Sequence, residues 1–260
     1  NYKEIKMLHP IERDFKIKKT EMFDGADNIG KVITFQDVTD INRVELMRSQ
    51  FVANVSHELK TPLTSIKGFA ETLKFVKDDE TREKFLDIID KEAERLSRLI
   101  NDILVLSNIE SNLISDIDEF EPGSVIEEVL NIVRKTAVNK NIKLEFTNNN
   151  KDHILGNRDK FYQLGLNLIE NAIKYSKDSS GKVEVASYSE GGYYYLTVKD
   201  DGIGIPREDI PRIFERFYRV DKSRKKGGTG LGLAIVKHIV KIFNGEINVK
   251  SELGEGTVFK

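Results

Sequence analysis

Gly227-Gly228-Thr229-Gly230-Leu231-Gly232-Leu233 runs directly into the apolar Ala234-Ile235-Val236. Glycines ahead of a helix let backbone N–H groups approach a phosphate, and the helix N-terminus favours the anion. No Lys-Ser or Lys-Thr follows the last glycine, so this is not a Walker A loop; a flexible turn would have the same composition. Asp200-Asp201-Gly202-Ile203-Gly204-Ile205 follows an apolar stretch. A carboxylate at a strand end can accept a hydrogen bond from an exocyclic amine, and glycines beyond it leave room for a planar ring.

Asn167, Asn171, Lys174 and Tyr175 recur at helical spacing and share one face. Amide oxygens can ligate Mg2+, lysine neutralises phosphate, and tyrosine can stack. A capped surface helix is the bland alternative, but two asparagines on one helical face are locally unfavourable. Ile213 to Asp221 is rich in aromatic residues and contains Arg219; its aromatics read more readily as core than as ligand contacts. Lys222, Arg224, Lys225 and Lys226 follow, a basic loop ending in glycine that reads either as a lid beside a phosphate site or as a solvated loop.

His57 stands in Phe51-Val52-Ala53-Asn54-Val55-Ser56-His57-Glu58-Leu59-Lys60-Thr61-Pro62-Leu63. At about 100° per residue it points away from the stripe made by Val55 and Leu59. A lone surface histidine is usually only that. Here a carboxylate adjoins it, Thr61 lies one turn on, and Pro62 removes a backbone donor and can kink the helix.

These groups need elements to carry them. Residues 1–40 alternate as a β-hairpin, Phe15, Ile17 and Lys19 on one face, with a long loop at Asp24–Gly30. A lone hairpin is marginal in water, so it should belong to a larger sheet. From Ile41 the period becomes helical, with Val44, Met47, Phe51, Val55, Leu59, Leu63, Ile66, Ala70 and Leu73 in one stripe. Lys77–Glu80 breaks it. A second helix follows, with a seam at Leu86, Ile89, Ala93, Leu96, Ile100, Ile103 and Ser107 that Leu99 and Leu106 widen. Two long helices bury one face each. Two hairpins forming a four-helix bundle, hence a homodimer, are the economical solution; a monomeric hairpin packed on the rest of the chain is the other.

Asn112–Pro122 is a polar, helix-poor link. Beyond it, helices at Ser124–Asn139, Asp159–Tyr175 and Leu231–Phe243 interleave with strands at Ile142–Phe146, Lys182–Ser187, Tyr194–Val198, Glu246–Val249 and Thr257–Phe259, predicting an α/β sandwich of one sheet against helices. The chain has 260 residues, 32% of them charged, and a net charge of -2. That length suggests about two domains. The balanced charge argues against a dedicated nucleic-acid binder. There is no cysteine, which excludes disulfides, thiolate metal sites and cysteine nucleophiles. The four histidines have no zinc-ligand spacing. No apolar run approaches the roughly 20 residues of a membrane span, and no secretory signal appears within the chain; it starts at Asn1 rather than Met, so the natural protein is expected to extend upstream.

Taken together, the segments resemble the two-component sensor histidine kinases. The segment around His57 is similar to the family's H box, Asn167–Tyr175 to its N box, Asp200–Gly204 to its D-x-G-x-G box, Ile213–Arg219 to its F box and Gly228–Gly232 to its second glycine box. Gly254-Glu255-Gly256-Thr257 is similar to the terminal G-x-G-T, and all six stand in family order. Asp37-Val38-Thr39 resembles the end of a PAS sensor domain, and the combination is most like kinases of the phosphate-regulon or cell-wall type. Gly156-Asn157 stands where the family commonly has Gly-Asp; asparagine caps helices as well.

The resemblance implies a PAS remnant over 1–40, a dimerisation and phosphotransfer hairpin over 41–112, a hinge over 113–121 and an α/β ATP-binding domain over 122–260. It implies ATP-dependent phosphorylation of His57, transfer to an aspartate of a response-regulator receiver domain, and dephosphorylation of that regulator. Glu58 would assist proton removal and Thr61 would position water. Asn171 with Asn167 would hold Mg2+, and Lys174 and Arg219 would face phosphates. Tyr175 would lie near the nucleotide, and Asp200 would read the adenine amine beside Gly202 and Gly204. Gly228, Thr229, Gly230, Leu231 and Gly232 would cradle the phosphates. The resemblance further implies a homodimer, no nucleic-acid partner, and a membrane anchor upstream that leaves this part cytoplasmic. A conformational ATPase of the gyrase or chaperone kind would share the nucleotide residues but lacks His57-Glu58-Leu59-Lys60-Thr61-Pro62. The intact Asn171, Asp200 and glycine boxes argue against a scaffold that has lost catalysis.

Overall fold

The computed structural model describes residues 2–8, 11–110, 117–149, 152–177, 180–220 and 228–260. The chain forms two compact units, residues 1–61 and 62–260, that part inside a helix.

In the first unit, β1 (Tyr2–Met7), β2 (Arg13–Asp24) and β3 (Asp27–Asp37) form an antiparallel sheet in that order. The expected hairpin is there, with two differences. β1 adds a third strand, pairing Ile5 with Phe15. The long loop is instead a two-residue turn, Gly25-Ala26, because the strands pair out to Asp24 and Asp27 by absorbing a bulge at Met22/Phe23. Asp37 accepts from the Thr39 backbone N–H at 3.0 Å and starts α1 (Thr39–Leu73). Val38 is buried, and the Asp14 N–H donates to the Thr39 hydroxyl at 2.9 Å, tying the first turn of α1 to β2.

In the second unit, α1 continues from Pro62, which supplies no N–H to the Glu58 carbonyl. Asp78 accepts from the Thr81 N–H at 2.8 Å and caps α2 (Asp79–Glu110). Phe69 and Phe85 join the two helices, with ring centroids 5.0 Å apart. Within one chain the expected seam is covered only in part, with Ile89, Leu96 and Ile103 half-buried. Leu99, Leu106 and Ile109 are the buried residues of α2, while Leu86, Ala93, Ile100 and Ser107 are exposed. α2 is apolar on two adjoining faces. The first packs within the chain, in part against the last helix, and the second stays bare together with Leu63 of α1.

The remaining elements are β4 (Asp118–Phe120), α3 (Pro122–Asn139), β5 (Lys143–Asn148), β6 (Ile154–Gly156), α4 (Arg158–Tyr175), β7 (Lys182–Glu190), β8 (Tyr193–Asp200), α5 (Gly232–Ile242), β9 (Val249–Glu252) and β10 (Gly256–Phe259). One sheet runs β5-β7-β8-β10-β9, parallel only between β5 and β7. Its inner face, with Val183, Val185, Val198 and Phe259 buried, packs on α3 and α4, with α5 beside α4, as the expected two-layer sandwich. The outer face carries a charge ladder, Lys143–Glu145–Lys182–Glu184–Lys199, with links of 2.5 to 3.0 Å.

Local signals set the element ends. Pro122 opens α3 two residues before the expected start, where its missing N–H costs nothing. Asn141, in the left-handed region at φ 54°, turns the chain from α3 into β5, and the Ile142 N–H reaches back to the Ala137 carbonyl at 2.9 Å. Asn157 caps α4 by accepting from the Lys160 N–H at 2.9 Å, so the departure from Gly-Asp is without structural effect. Two expectations need correcting. The polar link contains β4, held by pairing with β6 and by Phe120 packing on Phe161 at 5.5 Å. The strand expected at Glu246–Val249 is Val249–Glu252, because the chain turns at Asn244 and spends the next residues travelling from the helix to the sheet edge. Ile235, fully buried on α5, gives a direct test: Ile235→Ala should cost about 2–5 kcal/mol, read as a lower urea midpoint by circular dichroism.

Candidate functional site

A cavity of about 470 Å³ opens between α4, the ends of β8 and β10, and the segment entering α5. It gathers Asn171, Lys174, Tyr175, Asp200, Gly204, Arg219, Gly228, Thr229, Gly230 and Gly232 from four separate stretches of sequence.

Asp200 ends β8 opposite Thr257 of β10, and only 5% of it is exposed. Its Oδ1 accepts from the Gly202 N–H at 2.9 Å. Burial pushes its carboxyl up from 3.8 to about 6, against the pull of the Gly202 and Thr257 N–H groups. The turn beyond is crowded. A Cβ at Gly202 would lie 2.1 Å from the Tyr175 carbonyl oxygen, and one at Gly204, at φ +68°, would lie 2.0 Å from the Glu252 carbonyl oxygen. The Ile203 N–H donates to that Tyr175 carbonyl at 3.2 Å, binding the end of α4 to the end of β8. The glycines are therefore needed for close backbone approach, whatever else they do.

Across α4, the Lys174 ammonium lies 4.7 Å from the Tyr175 ring centroid and 2.3 Å from where a Gly228 side chain would begin. The Asn167 side-chain N–H donates to the Gln163 carbonyl at 2.9 Å, leaving Oδ1 facing Gly232, 2.8 Å from the position of a Cβ there. Asn171 lines the cavity beside it. An amide oxygen of Asn167 bordering a glycine-lined space, with the Asn171 amide beside it, suits Mg2+, a hard cation that takes oxygen ligands and keeps several waters. No cluster of three or more His, Asp or Glu side chains suited to a metal exists among the described residues.

Leu231 stands apart from its neighbours: its side chain is fully buried, and its N–H donates to the Thr229 hydroxyl at 3.2 Å. Asn167, Gly202 and Leu231 border the site without lining the cavity. The Phe217 N–H donates to the Gly230 carbonyl at 2.9 Å, and both residues sit in the left-handed region, at φ 62° and 72°. A Cβ at Gly230 would meet the Phe217 backbone at 2.8 Å. The basic residues Lys222, Arg224, Lys225 and Lys226, with Asp221 and Gly227, lie outside the described residues.

Two contributors were not legible as such in the sequence. Tyr218 lines the cavity; its hydroxyl donates to Asp209, and the Arg212 guanidinium lies 4.3 Å from its ring centroid. It stood in the aromatic segment but read as core. Asp102, on α2, accepts from the Thr229 hydroxyl at 2.6 Å. Burial pushes its carboxyl up, against Thr229 and Arg98. Nothing in local sequence marks it.

His57, Glu58 and Thr61 belong to the other compact unit. His57 is exposed, Glu58 is half-buried, and the exposed Thr61 donates its hydroxyl to the His57 carbonyl at 3.2 Å.

Comparison with known proteins agrees with this geometry. Residues 156–260 match the family described as histidine kinase-, DNA gyrase B- and HSP90-like ATPase. Residues 47–112 match the His Kinase A (phospho-acceptor) domain. Drug sensory protein A of Synechocystis sp. is 39% identical over 98% of this chain and 41% of its own length. The sensor-like histidine kinase SenX3 of Mycolicibacterium smegmatis is 34% identical over 98% of this chain and 67% of its own. The crystal structure of histidine kinase ThkA in complex with response regulator protein TrrA matches with a TM-score of 0.67 and 26% identity, over 99% of this chain and 76% of that one. The chain thus belongs to the two-component sensor histidine kinases, and it spans 41% to 67% of the length of these two curated relatives. Among the described residues, no helix is long and apolar enough to cross a membrane.

Asp200 yields a stability prediction. Its pKa in the folded chain lies above the ordinary carboxylate value, so the fold binds the proton more tightly than the unfolded chain does. Stability therefore falls as pH rises from about 4 to about 6, and the ionised carboxylate is a standing cost above that. Asp200→Asn, which keeps the acceptor oxygen for Gly202, should stabilise the nucleotide-free chain at pH 7 by up to about 3 kcal/mol. The advantage should vanish below pH 4, which thermal melts at the two pH values would check.

Proposed function

We propose that this chain binds Mg-ATP in the cavity, phosphorylates His57 and passes the phosphoryl group to an aspartate of a response-regulator receiver domain. The observation that carries the reading is a pairing within one chain. An exposed histidine followed by Glu58, Thr61 and Pro62 accompanies a cavity where a nearly buried carboxylate, a lysine and a glycine loop converge.

In this reading Asp200 accepts the adenine exocyclic amine, and Tyr175 and Tyr218 bound the base. Lys174, Arg219 and the amides of Gly228–Gly232 face the phosphates. Asn171 and Asn167 would hold Mg2+, which when bound offsets phosphate charge. With no covalent bond to make themselves, these residues act by positioning and charge neutralisation.

The transfer requires His57 and the phosphate-binding residues to come together. A His57 ring nitrogen attacks the γ-phosphorus. The N–P bond forms as the bond to the β–γ bridging oxygen breaks, and ADP leaves with that oxygen. Glu58 takes the proton from the other ring nitrogen. In the second step a receiver aspartate oxygen attacks the phosphorus, the N–P bond breaks, and imidazole is restored to its neutral form by regaining a proton. Thr61, one turn from His57, would orient a water for hydrolysis of the resulting acyl phosphate. The bare apolar face of the hairpin, with Leu63, Leu86, Ile100 and Leu104 exposed, supports a four-helix homodimer.

Two outcomes test the reading. Labelled ATP should leave acid-labile phosphate on the wild-type chain and none on His57→Ala; label persisting in the variant would overturn the assignment. Adenosine, which has no phosphate to titrate, should bind about tenfold more weakly at pH 5 than at pH 7, because protonation discharges the Asp200 carboxylate that accepts from the amine. Calorimetry would show this dependence, and Asp200→Asn should abolish it.

A further inference from the structure

One hydrogen bond lies outside that chemistry and joins the hairpin to the glycine loop. The Thr229 hydroxyl donates to Asp102 Oδ2 at 2.6 Å while accepting from the Leu231 N–H at 3.2 Å. Leu231 immediately precedes α5, and α5 is the helix against which α2 packs. A single hydroxyl thus connects the loop, the start of α5 and the face of α2 that carries the buried Leu99 and Leu106.

A hydroxyl has one proton to donate. While Asp102 holds it, no phosphate oxygen can. A carboxylate beside the loop also repels an incoming phosphate, since the two carry charge of the same sign. Lys174 and Arg98 are the nearby cations, and Glu170 adds a second carboxylate to the surroundings of Asp102.

We propose that Asp102 is a positioning residue that sets nucleotide affinity from outside the nucleotide site: it withholds the Thr229 hydroxyl, so that the contact between α2 and the loop competes with phosphate binding. The proposal rests on the cavity being an ATP site. Because the coupling is reciprocal, phosphate binding weakens the hold of α2 on the loop by the same factor that the hold weakens phosphate binding. Loading with ATP would then loosen the glycine loop from the hairpin.

The test uses the full chain. Calorimetric titration with Mg-AMP-PNP should show Asp102→Ala binding roughly fivefold more tightly than wild type. Asp102→Asn, which keeps an acceptor oxygen without the charge, should fall between them. The gain from Asp102→Ala should persist with Thr229→Ser, which retains the hydroxyl, and disappear with Thr229→Val. Independently of nucleotide, amide hydrogen exchange at Gly230–Gly232 should be faster in Asp102→Ala than in wild type. Unchanged or weaker AMP-PNP binding in both Asp102 variants would overturn the proposal, as would unchanged exchange in the nucleotide-free chain. A wild-type chain that fails to bind AMP-PNP would overturn the ATP reading instead, and the exchange comparison would still decide whether Asp102 holds the loop.

Discussion

A carboxylate taken out of water at the end of β8 is the constraint around which the α/β part is organised. An ionised group with so little solvent is expensive unless hydrogen bonds meet it. Asp200 obtains them from Gly202 and from the backbone of Thr257. Both require the sheet to end in this way: β10 must pair beside β8 in register, and the chain must turn at once through Gly202 and Gly204. The same turn places the Ile203 N–H on the last carbonyl of α4, which fixes Lys174 and Tyr175 relative to the carboxylate. The acid and the end of α4 that carries the lysine are therefore held together by backbone contacts.

The other wall is built differently. Phe217 and Gly230 face each other with left-handed backbones, a conformation that a phenylalanine adopts at a cost. The Phe217 N–H to Gly230 carbonyl hydrogen bond joins these two backbones. Thr229 precedes Gly230, with Asp102 on one side and the start of α5 on the other. The hairpin is thus coupled to the nucleotide site by polar contacts as well as by packing. Its second apolar face, with Leu86, Ile100 and Leu104, is exposed.

Several features were legible because they are local. The H-box residues, the Asp200 glycines and the face shared by Asn167, Asn171, Lys174 and Tyr175 follow from residue type and spacing alone. So do the cap at Asn157 and the break before Asp79, since each concerns groups within one turn of helix. The helix-heavy first half and the interleaved second half follow from periodicity, which reports which positions seek burial. It does not report what buries them. The seam on α2 is covered only in part within one chain for that reason: an apolar residue on either of two faces satisfies the period equally, and neighbouring helices determine which face is covered. β4 and β6 escaped because three-residue strands carry almost no pattern, and Phe120 needs Phe161 to give it a place.

By itself, then, the sequence determined the family, the order of the longer elements and most of the residues that line the cavity, because close backbone approach and helix faces are written in residue identity. Tertiary structure alone decided that Leu231 is core while its neighbours line the cavity, that Tyr218 is wall rather than core, and that Asp102, 127 residues before Thr229, reaches it. Each of these depends on which side chain from a distant element arrives within a few ångströms. That information lies in the packing of α2, α4 and α5 and in no local stretch of the chain.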